Sequence, residues 1–156
     1  MREILFRGKR LDNDDWVYGL LCRVGDTYAN IVRKDTWVLY SVLTNTIGQC
    51  TGLTDKNGRK IFEGDIVRLF DISVGEIVQE CGAFGIGCRK QIDYDYLASE
   101  IAPVTGSNNT PMFCYNDNFV SLWELWWNYN EEGDEISVIE VIGNIHDNPE
   151  LLEVKE

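Results

Sequence analysis

The sequence contains no long apolar run. A helix that crosses a membrane needs roughly 18 consecutive apolar residues, and every apolar stretch in this chain is interrupted by charge before that length. The N-terminal stretch MREILFRGKR also carries charges where a signal peptide needs its apolar segment. We therefore expect a soluble cytoplasmic protein that has no membrane partner.

Histidine is almost missing, since His146 is the only one. A Ser-His-Asp or Cys-His catalytic set would have to be built on it, because a general base must lie within hydrogen-bond reach of its nucleophile. A lone histidine without clustered Cys or Asp also supplies no tetrahedral metal site. We expect no catalytic residue, no metal, no cofactor and no enzymatic activity. The hypothesis that the protein is an enzyme using carboxylates alone rests only on the abundance of Asp and Glu.

Basic residues are scarce in the second half of the chain. Residues 1–70 carry 11 Lys or Arg against 9 Asp or Glu, a balance of +2, whereas residues 71–156 carry 3 against 17, a balance of −14. The acidic half repels phosphate backbones, so any nucleic-acid contact would have to use the first half. An acidic, solvated protein surface is favoured over a surface that mimics nucleic acid.

The cysteines form no C-x-x-C pair, and their number is odd. This pattern is typical of reduced, buried thiols rather than of a disulfide framework. The five residues are Cys22, Cys50, Cys81, Cys88 and Cys114.

The 156 residues and 44% hydrophobic content fit one domain with its own core. Short β-prone runs separated by turn residues predict a mainly β fold, or an α+β fold with few short helices. We expect a β-meander over residues 1–45, a small antiparallel barrel core over 46–90, and a C-terminal strand and short helix within 91–156.

The segment TGLTDKNGRKIFEGD contains the clearest turn signals. Asn57-Gly58 predicts a type I′ hairpin that joins a strand over 49–53 to one over 60–62. We expect Asp65 to accept hydrogen bonds from nearby backbone amides and Glu63 to pair with Arg59 or Lys60. The alternative is that Glu63 and Asp65 together face a cation or a substrate hydroxyl.

Glycines recur in CGAFGIGC, which does not match the G-x-G-x-x-G phosphate-binding pattern. We interpret them as strand glycines at bulges or corners. Residues 92–110 break the strand pattern and predict a loop, with one short helical turn over 94–99.

The segment 119–129 fits a helix better than a strand, although it also alternates as a strand would. Ser121 and Glu124 match a capping box. The next run, residues 136–145, is rich in β-branched residues and predicts a strand. Asn148 as N-cap and Pro149 at the first helical position predict a short terminal helix.

Trp123, Trp126 and Trp127 form the most informative block. Three indoles within five positions cannot all face a core, so we expect at least one at a groove or a subunit interface. The alternative is that two lie in the core and one lies flat on the surface.

Basic residues alternate with aromatics in FRGKR and IVRKDTW, a pattern that can support binding of single-stranded nucleic acid. Nearby acidic residues favour solvated hairpin surfaces instead.

Three segments carry a family resemblance: FRGKRLDNDDWVYG at 6–19, TIGQCTGLTDKNGRKIFEGDIV at 46–67 and EVIGNIHDNPELL at 140–152. In order and spacing they resemble the signature segments of the YopX family of phage and prophage proteins. The resemblance implies a mostly β fold and a bacterial host cell, and it supplies no catalytic or binding residue. Its turn positions here are Gly52, Asn57, Gly58, Glu63, Gly64, Asp65, Gly143, Asn144, Asn148 and Pro149.

The leading functional hypothesis is a non-enzymatic module that binds a protein partner, or a second copy of itself, through Trp123, Trp126 and Trp127. The alternative is a nucleic-acid-binding small barrel that uses the neutral-to-basic first half. The acidic composition of the chain argues against this nucleic-acid-binding alternative.

Overall fold

The computed structural model describes residues 4–71, 73–80, 82–87, 114–116, 119–130 and 132–153. Its strands form two six-stranded sheets in which every pairing is antiparallel. The mainly β fold is therefore confirmed.

The first sheet has the order β4-β3-β2-β1-β5-β6. Its strands are β1 Phe6–Lys9, β2 Trp16–Val24, β3 Tyr28–Val32, β4 Leu39–Leu43, β5 Gly48–Thr54 and β6 Lys60–Phe62. The predicted N-terminal meander is present as β1 to β4. Strand β4 also returns to the β1–β2 turn, where the Leu11 amide donates to the Ser41 carbonyl at 3.1 Å.

The second sheet has the order β10-β11-β9-β8-β7-β12. Its strands are β7 Asp65–Leu69, β8 Ser73–Glu80, β9 Ala83–Gly87, β10 Cys114–Asn116, β11 Phe119–Ser121 and β12 Ile139–Asn144. One helix, α1 Leu122–Tyr129, follows β11 directly, and the two 3-10 turns of the described residues are Thr44–Thr46 and Pro149–Leu152.

The closed barrel expected over residues 46–90 is not confirmed. Strands β5 and β6 belong to the first sheet, and β7, β8 and β9 belong to the second. The chain changes sheets at Glu63-Gly64, where Gly64 has φ +88°. A residue with a Cβ is strained in that conformation, so the glycine makes this tight turn accessible.

The main core lies under the second sheet and α1. Its fully buried members include Ile61, Leu69, Ile77, Ile86, Leu125 and Ile139. A smaller cluster, formed by Val17, Ala29, Ile31 and Val42, fills the inside of the N-terminal meander. Burial of these side chains supplies the main favourable free energy of folding.

The β5–β6 hairpin is confirmed, but its turn is not type I′. Only Gly58 has a positive φ, at +77°, whereas a type I′ turn requires one at Asn57 as well. The buried carboxylate of Asp55 explains the difference. Its Oδ1 accepts hydrogen bonds from the amides of Asn57 and Arg59, both at 2.9 Å, and so holds the loop in another conformation.

The two predicted helix caps differ from those in the structure. Helix α1 begins after Ser121 as expected, but that side chain makes no capping hydrogen bond, so the capping box is wrong. Residues 119–121 form a strand and only 122–129 a helix. Asn148 precedes a 3-10 turn rather than an α-helix, and its Oδ1 accepts from the Asn144 amide at 3.3 Å instead of capping the turn.

The interpretation as strand glycines is confirmed for Gly85 and Gly87, but no bulge occurs there, because β9 pairs in regular register with β8 and β11. Gly82 lies in the β8–β9 turn with φ +79°, and Gly85 and Gly87 lie in β9. A Cβ on Gly85 would stand 2.2 Å from Phe119 Cζ, so the glycine makes room for that buried ring.

The expectation of buried thiols holds for Cys50 and is wrong for Cys22, which is exposed. Cys22 stands where the β2–β3 register shifts, on the exposed end of β2. Several sequence predictions lie outside the described residues. They concern Cys81, Cys88, the helical turn over 94–99, the loop over 92–110 and the side chain of Cys114.

Candidate functional site

Helix α1 separates its tryptophans from the core. Its buried residues are Leu122, Leu125 and Tyr129, which face the second sheet. Trp123 and Trp127 lie on the other side and are 59% and 70% exposed. These two indoles leave large apolar surfaces in contact with water.

Trp126 lies between the core and the surface. It packs against the main core, and its Nε1 donates a hydrogen bond to the Gly133 carbonyl at 3.0 Å. Its ring stacks on that of Trp123 with centroids 4.9 Å apart and an interplanar angle of 28°. The Trp127 ring lies 6.4 Å from that of Trp123 and 6.3 Å from that of Trp126. The three indoles therefore form one aromatic cluster with a fixed inner member.

An open cavity of about 740 Å³ adjoins this cluster. One wall comes from β5 of the first sheet, and the other comes from the β8–β9 turn and α1 of the second. Its aromatic and aliphatic lining residues include Leu53, Phe84, Leu122, Trp123 and Trp126. We call this cavity, together with the neighbouring Trp127, the tryptophan groove.

A bulge in β5 shapes the first wall of the tryptophan groove. Cys50 pairs with Phe62 and Thr54 pairs with Lys60, so β5 contains extra residues between these two pairs. Gly52 lies inside the bulge with φ +84°, and it lines the groove together with its neighbours Thr51 and Leu53. Bulges of this kind redirect side chains and are common beside functional sites.

The lining of the tryptophan groove contains one acidic side chain, Asp134, and one basic side chain, Lys60. Further acids are sequence neighbours of lining residues, namely Glu80, Glu124 and Glu135. The two charged lining side chains balance formally, whereas residues 71–156 as a whole carry a balance of −14.

A second cluster lies at the joint between the two sheets, and all three signature segments contribute to it. Arg7 Nη2 lies 2.7 Å from Asp65 Oδ1, and both side chains are buried. The Arg7 guanidinium also stands over the rings of Trp16 and Phe62, at 4.6 and 4.9 Å from their centroids. We call this cluster the inter-sheet junction.

Asp147 completes the inter-sheet junction from the C-terminal segment. Its carboxylate forms an ion pair with Lys9 and accepts hydrogen bonds from Trp16 Nε1 at 2.8 Å and Asn144 Nδ2 at 3.0 Å. Gly143, near the end of β12, lies against this turn, and a Cβ there would stand 2.6 Å from Asn148 Oδ1. The signature residues of the third segment thus hold a turn that binds the first segment.

The charges of the junction shift the pKa values of its groups. Hydrogen bonds from Lys9, Asn144 and Trp16 lower the pKa of Asp147 well below its usual range. Burial, followed by the positive charges of Arg7 and Lys9, lowers the pKa of His146. Burial raises the pKa of Asp65, an effect that Arg7 partly offsets. His146 therefore favours its neutral form in the folded chain.

The structure places the remaining predicted residues as follows. Asp65 accepts a hydrogen bond from the Phe62 amide at 2.8 Å, as expected of a turn carboxylate. Burial, followed by repulsion from Glu76, raises the pKa of Glu63. The pairing of Glu63 with Arg59 or Lys60 stays a prediction.

Among the basic residues considered for nucleic-acid contact, Arg7 is buried, and Lys9, Arg10 and Arg33 are paired with acids. Arg7 is 4% exposed, and Lys9 pairs with Asp147. Arg10 Nη2 lies 2.5 Å from Asp12 Oδ2, and Arg33 Nη2 lies 2.6 Å from Asp35 Oδ2. These contacts neutralise the positive charge that a phosphate backbone would need.

Sequence reasoning missed Arg7, Trp16, Asp55 and Asp147. Arg7, Trp16 and Asp147 contact residues that are distant in the sequence, and Asp55 accepts hydrogen bonds both from its own loop and from the distant Val141 amide. Within the described ranges, no group of three or more His, Cys, Asp or Glu is arranged to hold a metal ion. None of the helices described there has the length and apolar character to cross a bilayer.

Comparison with known proteins identifies a matching family model and a similar solved structure. The family model described as YopX protein matches residues 6–153. The crystal structure of protein EF1440 from Enterococcus faecalis is similar at 22% sequence identity, covering 98% of this chain and 100% of that chain with a TM-score of 0.47. No curated protein matches the chain.

Proposed function

The chain belongs to the YopX family, and from the geometry of its tryptophan groove we propose that it is a non-enzymatic protein-binding module of phage or prophage origin. It acts in the cytoplasm of the bacterial host, and the groove is its binding site. The observation that carries the proposal is the exposure of Trp123 and Trp127, at 59% and 70%, beside a cavity whose lining includes the apolar side chains of Leu53, Phe84 and Leu122.

Exposed indoles next to a cavity favour binding because a partner can cover both at once. Each buried square ångström of apolar surface contributes about 25 cal/mol, and tryptophan is among the residues most enriched at interface hot spots. Stacking on the fixed ring of Trp126 limits the freedom of Trp123 before a partner arrives. The entropy lost on binding is correspondingly smaller.

The size of the cavity indicates what enters it. About 740 Å³ is enough for one or two large side chains of a partner, and it is far smaller than a domain. We therefore propose that the partner inserts a short protruding segment, such as a loop or a hairpin, with an apolar anchor.

The acidic residues that precede or follow lining residues in the sequence are the basis for proposing the charge of that segment. Asp134 lines the groove with Lys60, and Glu80, Glu124 and Glu135 are sequence neighbours of lining residues. A segment with Lys or Arg beside its apolar anchor would be attracted to them, and a cationic group can also lie over an exposed indole face. An acidic segment would be repelled.

The same acidic residues favour protein over nucleic acid as the partner. Exposed tryptophans can stack on bases, but phosphates next to these carboxylates would be repelled. Three basic residues of the first half, Lys9, Arg10 and Arg33, are already in ion pairs with acids.

Selection of short linear peptides by display against the immobilised full chain tests the proposal. We expect the enriched peptides to combine an aromatic or aliphatic anchor with Lys or Arg. The double variant Trp123→Ala/Trp127→Ala should weaken their binding about tenfold or more, because removal of a hot-spot side chain costs at least about 1.4 kcal/mol.

Tyr28→Ala is the matched control, since Tyr28 is a similarly exposed aromatic, at 57%, on the first sheet and away from the groove. Its binding of the selected peptides should equal that of the wild type. The proposal is contradicted if no peptide is enriched, or if the double variant and the control bind equally well. Binding of labelled oligonucleotides at low salt in place of peptides would favour the nucleic-acid alternative.

A further inference from the structure

The turn at residues 132–136 contacts both walls of the tryptophan groove. On the side of α1, the Gly133 carbonyl accepts a hydrogen bond from Trp126 Nε1 at 3.0 Å. On the side of β5, Thr54 forms two backbone hydrogen bonds with the turn, each of 2.9 Å. We call residues 132–136 the bridging turn, because these bonds join α1 to β5.

The side chain of Asn130 holds the bridging turn against the end of α1. Asn130 is the C-cap residue of that helix, and its Nδ2 donates to the Gly133 carbonyl at 2.6 Å and to the Glu135 carbonyl at 3.0 Å. The Gly133 carbonyl therefore accepts from two side chains, Asn130 and Trp126. A shift of the turn would change both bonds together, so the position of Gly133 determines where the Trp126 indole can donate.

Trp126 in turn supports the two exposed indoles of the groove. It packs against the main core, whereas Trp123 and Trp127 are each more than half exposed. The Trp123 ring stacks on that of Trp126 with centroids 4.9 Å apart, and the Trp127 ring lies 6.3 Å from it. An indole that is already held loses less conformational entropy when a partner covers it. The orientation of Trp126 therefore bears on the affinity of the whole groove.

We propose that Asn130 is a positioning residue of the tryptophan groove. It fixes the bridging turn, the turn fixes the Trp126 indole through the Gly133 carbonyl, and that indole holds Trp123 in the orientation that a partner meets. Asn130 does not itself line the groove. This inference rests on the proposed function of the groove and adds a residue that sets its affinity from outside the lining.

The backbone of the bridging turn offers a second way to test this role. Gly133 has φ +58°, in the left-handed region that a residue with a Cβ avoids. A Cβ built there would meet no atom within 4 Å, so the preference for glycine comes from conformation and not from crowding. A substitution at Gly133 therefore disturbs the turn without adding charge or filling the groove.

The variant Asn130→Asp tests the inference directly. A carboxylate has nearly the shape of the amide, but it cannot donate to the carbonyls of Gly133 and Glu135. The matched control is Asn128→Asp, which adds the same charge two positions away at another exposed asparagine. The Asn128 Nδ2 donates to the Glu124 carbonyl within the helix and makes no described contact with the bridging turn.

Two measurements on the full chain report the position of the indoles. The first is the exciton-coupled circular dichroism band of the stacked Trp123 and Trp126 rings, with Trp123→Ala as the reference spectrum that lacks the stack. We expect Asn130→Asp to lose most of this band and Asn128→Asp to keep it. The second is the dissociation constant of the selected peptides, which should rise about three- to tenfold in Asn130→Asp and stay within about twofold of the wild type in the control.

Gly133→Ala and Gly133→Asn form a second matched pair that leaves the charge unchanged. Alanine is strained at φ +58°, whereas asparagine tolerates the left-handed region. We expect Gly133→Ala to reproduce the effects of Asn130→Asp on the exciton band and on peptide binding. Gly133→Asn should behave as the wild type does.

The outcomes separate this inference from the proposed function. Asn130 is not a positioning residue if Asn130→Asp keeps the exciton band, or if Asn128→Asp weakens the band and the peptide binding equally. Loss of the band only in step with a lower urea unfolding midpoint also overturns the inference, since the change would then be global. If no peptide is enriched against the wild type, the proposed function fails, and the exciton band alone decides whether Asn130 positions the indoles.

Discussion

Arg7 and Asp65 form a buried ion pair across the two sheets, with Nη2 and Oδ1 2.7 Å apart. Arg7 belongs to β1 of the first sheet and Asp65 to β7 of the second. The rings of Trp16 and Phe62 cover the guanidinium. Each charge is out of water, so each depends on the other for compensation.

Replacing Arg7 by Met should destabilise the fold strongly. The Asp65 carboxylate would stay buried with the Phe62 amide as its one remaining hydrogen-bond donor of the described contacts. Loss of one partner of a buried pair costs about 3–5 kcal/mol in the free energy of unfolding, which urea unfolding followed by circular dichroism would measure.

The double variant Arg7→Met/Asp65→Asn should recover part of that loss because it removes the uncompensated charge. The control is Arg10→Met, whose partner Asp12 is 63% exposed, and it should cost less than about 1 kcal/mol. Equal effects of Arg7→Met and Arg10→Met would contradict this account of the pair.

Asp55→Ala should also destabilise the chain. The carboxylate is 1% exposed and accepts hydrogen bonds from the amides of Asn57, Arg59 and Val141, each at 2.9 Å. Loss of these bonds leaves buried donors unsatisfied, at about 1–3 kcal/mol for each one that water cannot reach.

Chemical denaturation would measure the loss, with Asp26→Ala, at an exposed carboxylate, as the control with little effect. A loss below about 1 kcal/mol in Asp55→Ala would show that the loop amides reach water after all.

His146 offers a direct test of the electrostatics at the inter-sheet junction. As the only histidine, it gives a single imidazole signal in a proton NMR titration. We expect its pKa to lie below 6.5, because burial, Arg7 and Lys9 all disfavour the protonated ring. Lys9→Met should raise the pKa, and the distant Lys56→Met should leave it unchanged. A wild-type pKa at or above 6.5 would contradict the expected effect of burial, Arg7 and Lys9 on this imidazole.

The same shift makes stability depend on pH in a defined direction. The folded-state pKa of His146 lies below the unfolded value of about 6.5. As the pH falls from 7, the unfolded chain binds this proton first, so the free energy of unfolding decreases from about pH 6.5 downward. His146→Gln should flatten that slope above about pH 5, where few carboxylates titrate. Denaturant midpoints measured at each pH would show whether the slope persists without the histidine.

Trp37→Asn should raise the stability of the monomer. The wild-type residue adopts φ +58° with a bulky side chain, and asparagine adopts the left-handed region at lower cost. We expect a gain of up to about 1 kcal/mol in the free energy of unfolding. Val38→Thr, at the neighbouring exposed position, is the control and should not stabilise. A loss of stability in Trp37→Asn would mean that the indole contributes packing that outweighs its strain.

Local sequence patterns predict most strands because their signals are short-range. Asn57-Gly58 and the apolar alternation locate the β5–β6 hairpin, and the β-branched run locates β12. These signals do not say which strands share a sheet. One turn at Gly64 sends β7 to the second sheet, and nothing in its local sequence distinguishes that outcome from continuation of a barrel.

The inter-sheet junction shows even more clearly that local sequence patterns do not reveal contacts between distant segments. Trp16 and Asp147 form a hydrogen bond although 131 positions separate them, and turn residues such as Asn144 and Asp147 are common in loops with no such role. The sequence predicts one wall of the tryptophan groove but not the other. Crowding of three tryptophans on one short helix requires that some of them be exposed, but the bulge in β5 that forms the facing wall is visible only in the structure.

The carboxylate of Asp55 connects more than a hairpin loop. It accepts hydrogen bonds from the β5–β6 loop with one oxygen and from β12 with the other, while Arg7 and Asp65 join β1 to β7. Separating the sheets would break all of these contacts together, so the chain should open as one cooperative unit. The two walls of the tryptophan groove belong to different sheets, and these contacts fix them relative to each other. Under the proposed function, a partner would therefore insert into a cavity that is already formed, and the walls would not need to move.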